Sequence, residues 1–133
     1  MKSEIHYLNT DLDLVAKHNL APLAAVLQAQ GIPPLHMTPG EEGNWHATFE
    51  VAAEHHAPEE ALSIMLDAAE SLSDEARMLW SGCAVREFNI GYVCGDQPWA
   101  FSYGLSNRLL VRMSAAGASL RITLYPPEPG DRA

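Results

Sequence analysis

Apolar and polar residues alternate in five separate stretches of this chain, and a period of two is the geometry of a strand with one buried face. Ile5, Tyr7, Leu12 and Leu14 mark the first stretch, where a parity break near Asn9-Thr10 predicts a bulge or kink. Leu35 to Thr38 and Trp45 to Val51 are the next two, joined by the turn-forming Pro39-Gly40-Glu41-Glu42-Gly43 into a hairpin. Pairing Thr38 with Asn44 sets Met37 opposite Trp45 and Leu35 opposite Ala47. The odd-numbered residues, with Phe49 and Val51, then share an apolar face, and His36, His46, Thr48 and Glu50 share the other. Phe88, Ile90, Tyr92 and Cys94 point inward from a fourth strand that ends at Gly95-Asp96-Gln97-Pro98. Leu120, Ile122 and Leu124 do so from a fifth, broken by Pro126-Pro127.

Between the strands the apolar spacing becomes helical. Asn19 is placed to cap a helix bearing Leu20, Leu23, Val26 and Leu27, with Pro22 tolerated in the first turn and Gly31 as the stop. Pro58 opens a second, with Glu59-Glu60 at its positive end and Leu62, Met65, Leu66 and Ala69 inward. Ser73-Asp74-Glu75-Ala76 starts a shorter one that turns Ala76, Leu79 and Trp80 inward and stops at Gly82. Ser106 caps the last, with Leu109, Leu110 and Met113 apolar and Gly117 closing it. The spacing of Leu23, Leu27 and Gly31 recurs in Leu109, Met113 and Gly117, each time before a strand.

These elements predict a single α+β domain over residues 1–133, with residues 126–133 a short flexible tail. The expected architecture is a two-layer sandwich, a mixed or antiparallel sheet of about five strands with helices on one face, in a ferredoxin-like arrangement. A hydrophobic content of 47% against 19% charged residues suffices for a core without disulfides. The chain starts without a signal-type apolar run and holds no bilayer-length one, so a cytoplasmic protein with no membrane partner is expected. In that setting Cys83 and Cys94 are read as buried thiols with only Arg86 as a basic neighbour. A net charge of −9, with the eight basic residues scattered, repels a phosphate backbone, excludes nucleic acid as a ligand and suits a basic protein partner.

Asp11 and Asp13, two residues apart, project from the same side of the first strand, where paired carboxyls can hold a hard cation or split their pKa values for acid–base work. His36 and His46 are cross-strand neighbours in the register above, with Glu50 on the same face, as zinc or iron ligands are. HExxH and CxxC spacings are absent, so no metal or other cofactor is expected. His55-His56 are adjacent, point opposite ways and read as a surface turn. No dinucleotide fingerprint, Walker loop or Gly-x-Ser-x-Gly elbow occurs.

The most distinctive segment runs from Arg86 to Gly104, where aromatic residues and glycines concentrate. Its loop carries Asp96, Trp99, Phe101 and Tyr103 beside a strand bearing Arg86, Glu87 and Asn89. Arg86, Glu87, Asn89, Asp96, Trp99 and Tyr103 are therefore the candidate ligand or partner contacts.

Leu23-x3-Leu27-x3-Gly31-Ile32-x-Pro34, the glycine loop before Trp45, and Leu105-Ser106-x2-Leu109-x7-Gly117-Ala118-Ser119-Leu120-x-Ile122-x-Leu124-Tyr125 span most of the chain. In these features it resembles the bacterial family known as domain of unknown function 4279. The C-terminal piece is the most specific. The family pattern has an acidic residue before the last Tyr, where this chain has Leu124. The resemblance implies a compact α+β fold and assigns no catalytic residue. The reading is thus a non-enzymatic binding or protein-interaction module, with a homodimer through an exposed edge strand or the aromatic loop compatible with it. The alternative is a small metal-dependent or hydrolytic enzyme using Asp11, Asp13, His46 and Glu50.

Overall fold

A computed structural model describes residues 3–40, 43–51 and 57–127. Glu41-Glu42 of the hairpin turn, His55-His56 and the tail from 128 lie outside the described residues. The described elements run β1 (His6–Ala16), α1 (Ala21–Ala29), β2 (Pro34–Pro39), β3 (Trp45–Glu50), α2 (Pro58–Glu70), α3 (Asp74–Ser81), β4 (Val85–Val93), α4 (Asn107–Ala115) and β5 (Ser119–Tyr125). No described helix is long and apolar enough to cross a membrane.

One mixed sheet takes all five strands in the order β2-β3-β1-β4-β5. The pairs β2–β3, β3–β1 and β1–β4 are antiparallel, and β4–β5 is parallel. The chain is α+β as expected, but the strand order is not ferredoxin-like. That arrangement is an antiparallel sheet, whereas α4 crosses back and lays β5 parallel beside β4.

Local signals set the helices. Ser73 Oγ accepts from the Ala76 N–H at 3.2 Å, and Ser106 Oγ from the Leu109 N–H at 3.2 Å, so both hydroxyls satisfy helix-end donors. α1 begins two residues after Asn19 rather than one, and Asn19 Oδ1 accepts from the Ala21 N–H at 2.8 Å. The repeated spacing holds: Leu23, Leu27, Leu109 and Met113 are buried, and Gly31 and Gly117 follow their helices at φ +86° and +71°, a region glycine enters freely.

Leu12, Leu14 and Ala16 of β1, Ala47 and Phe49 of β3, and Phe88, Ile90 and Tyr92 of β4 join the buried residues of all four helices in a single apolar cluster. The expected break in β1 is present as a register shift between Tyr7 and Asn9.

Four expectations are corrected. The hairpin pairs Thr38 with His46, Met37 with Ala47 and Pro39 with Trp45, two residues away from the expected register. Because β2 is an edge strand, Pro39 needs no ladder N–H there, so it joins the strand opposite Trp45. Leu35 falls at a register shift and is exposed. Cys94 follows the end of β4 and is only half-buried. Leu120, Ile122 and Leu124, aligned with the inward Phe88, Ile90 and Tyr92, stay 37%, 59% and 65% exposed, as does much of Leu110, because β5 is the sheet's other edge.

Candidate functional site

Two places gather the candidate residues, and the first is the sheet face opposite the apolar cluster. Odd-numbered residues of β1 lie there. Register brings Asp11 opposite Glu50 on β3 and Asn89 on β4, and Asp13 opposite Thr48 and Glu87. Each carboxyl except Asp11 finds a donor. Thr48 Oγ1 donates to Asp13 at 2.6 Å, Asn9 Nδ2 to Glu50 at 3.2 Å, and Arg121 Nε pairs with Glu87 at 2.7 Å. Thr123 Oγ1 donates to Asn89 Oδ1 at 2.8 Å.

Asp11 Oδ1 is buried without a hydrogen-bond partner. Burial first, then the Glu50 carboxyl opposite it, which favours the protonated form, and the charge of Asp13 push the Asp11 carboxyl up to about 7. The Asp11 carboxyl is therefore poised to take up or release a proton near neutrality.

His46 does not join it. Its register partner is Val15, at the far end of β1 from Glu50, and the two-residue slip makes His36 and His46 diagonal rather than direct neighbours. Among the described residues, no group of three or more His, Cys, Asp or Glu is arranged to hold a metal ion.

Arg86 lies with the even-numbered residues of β4, on the other side of the sheet from Glu87 and Asn89. Its Nε donates to Gly117 O at 3.0 Å, and its Nη1 reaches the carbonyls of Cys83, Trp80 and Ser81 at 2.6, 3.1 and 3.3 Å. That guanidinium ties the end of α3 to the turn before β5. Cys83 is buried beside it, with burial raising the thiol's pKa.

The second place is the loop after β4. Its base is bonded to the chain's first described residues: Asp96 Oδ1 accepts from the Ser3 N–H at 3.0 Å, Gln97 N–H donates to Ser3 O at 3.1 Å, and Ile5 N–H to Gln97 O at 2.8 Å. Gly95 permits this approach, since a Cβ there would stand 2.7 Å from the backbone of Ser3 and Glu4. Phe101 then rests edge-on against Tyr92 at 5.4 Å, and Tyr92 against Tyr7 at 6.0 Å. Tyr103 is exposed, and Trp99 is 98% exposed.

Asn9, at the expected break in β1, and Arg121 and Thr123, on the outward side of the last strand, are not among the site candidates that the sequence offers. The signal was available in part, because Asn9 keeps the two-residue spacing of Asp11 and Asp13, and Arg121 and Thr123 keep that of β5's polar side. On the helix side, an open groove of about 830 Å³ between α2 and α4 is crossed by Arg112, which bonds Asp67 at 2.6 Å and Glu70 at 2.8 Å. Comparison with family models, curated proteins and solved structures returns no match.

Proposed function

We propose that this chain is a non-enzymatic protein-interaction module that engages a basic partner through the loop at 96–104. The near-complete exposure of Trp99 carries the reading. Water around a bare indole is unfavourable, and an aromatic ring on a bonded loop base costs little ordering when a partner covers it. The net charge of −9 adds attraction towards a basic surface, so association should weaken as salt screens it. The reading takes the molecule as a two-layer sandwich in the cytoplasm, and membership of the resembled family is part of the same proposal. The single apolar cluster and the α+β topology are compatible with both.

Affinity capture with the immobilised chain tests it. A basic protein should be retained by the wild-type chain, released by salt, and lost from Trp99→Ala, whose melting temperature should match wild type because the ring touches so little. Identical retained sets for the two baits would sink the reading.

A second reading, a small hydrolytic enzyme, is favoured by one observation, the Asp11 carboxyl pushed up to about 7 beside Glu50. Its signature is hydrolysis of an activated ester with a pH profile that inflects near that value and is abolished in Asp11→Asn.

A further inference from the structure

We propose that β5 is the contact of a two-fold homodimer in which two copies join their sheets edge to edge. The two edges of the sheet are built differently. β2 is blunted by Pro34 and Pro39 and by a register shift at Leu35, devices that discourage pairing. β5 has none of these: Ser119 to Tyr125 contains no Pro, Gly or Lys, and its register with β4 is unbroken.

The backbone of β5 is matched to a second copy of itself. Tyr125 O accepts from the Cys94 N–H at 2.8 Å, so odd-numbered backbone groups point to β4 and the N–H and C=O of Leu120, Ile122 and Leu124 point outward. An antiparallel pair centred on Ile122 sets Ile122 opposite Ile122 of the other copy and Leu120 opposite Leu124. All the outward groups are then used, in about six hydrogen bonds. The exposed Leu120, Ile122 and Leu124 meet their counterparts on one face. On the other, Arg121 faces Thr123 rather than a second Arg121, and each Arg121 keeps its own Glu87. Centring on Arg121 would oppose like charges.

Charge selects the same edge. From Gln97 to Pro127 the chain has no Asp or Glu and carries Arg108, Arg112 and Arg121, although its net charge is −9. Two acidic copies can therefore meet along β5 without opposing carboxylates. Leu110, exposed on α4 and absent from the groove that Arg112 lines with α2, adds to the uncovered apolar surface of the same β4-α4-β5 unit.

Sedimentation equilibrium at micromolar concentration should give twice the 14.5 kDa chain mass for wild type and for Trp99→Ala, and the single-chain mass for Ile122→Lys. A monomeric wild type, or a dimeric Ile122→Lys, would overturn the proposal. Amide exchange in the unmutated protein supplies a second reading that does not depend on the variant folding. The Leu120, Ile122 and Leu124 amides should exchange slowly at high concentration and faster on dilution, and unprotected rates at every concentration would overturn it. Retention of the dimer in Trp99→Ala separates this proposal from the loop's.

Discussion

At about pH 8, Asp11→Asn should unfold at a higher temperature than the wild-type chain, by roughly 3–8 °C or about 1–2 kcal/mol. Folding raises the Asp11 pKa from 3.8 to about 7, so the folded state holds the proton more tightly than the unfolded chain. Stability from this group is fully present below the unfolded value and drains away as pH rises through the folded one. Above that window the wild type keeps a half-buried carboxylate against Glu50, with Oδ1 unpartnered. Asparagine stays neutral and can donate to Glu50. The full shift would correspond to more, and the smaller figure allows for solvent screening at a site that is not fully enclosed. The advantage of the variant should shrink steadily as pH falls from about 7 and vanish only below the unfolded value of 3.8, where aspartate is protonated in both states. Parallel thermal melts across that range check it, and a difference independent of pH would contradict the raised Asp11 pKa.

Arg86→Met should cost about 2–4 kcal/mol in urea unfolding, since it strands carbonyls at two chain reversals. Trp80, Ser81, Cys83 and Gly117 all present their oxygens to the one guanidinium. A planar fork serves several acceptors in fixed directions, whereas an ammonium is a point donor, so Arg86→Lys should restore less than half of the loss. A cost below about 0.5 kcal/mol would mean that these carbonyls are as well served by water. Arg86 thus helps position β4 and β5, whereas Glu87 and Asn89 share the opposite face with Asp11.

The legible parts of this fold were local ones. Ser73 and Ser106 cap helices with their own hydroxyls, Pro58 starts α2, and Gly31 and Gly117 close turns, all within a few residues of sequence. The hairpin slip was invisible because a shift of two residues keeps every side chain on its expected face and changes only its neighbour. Alternation in β5 correctly aligned Leu120, Ile122 and Leu124 with the inward side of β4, yet period says nothing about whether a helix covers that side. The Asp11–Glu50 encounter joins residues from separate strands, and Arg86 links the nearby turn at Trp80, Ser81 and Cys83 to Gly117, 31 residues on. Those contacts depend on topology, which no single stretch encodes.

The most direct trial of the Trp99 loop as a recognition element is fluorine NMR on chain labelled with fluorotryptophan. The chain's three tryptophans sit in different surroundings: Trp80 buried with its Nε1–H on Ala116 O at 2.8 Å, Trp45 half-buried, and Trp99 in water. On adding the captured basic partner, the Trp99 resonance should shift and lose its solvent isotope effect while the Trp80 signal stays in place. Binding that left the Trp99 resonance unmoved and fully hydrated would contradict the assignment.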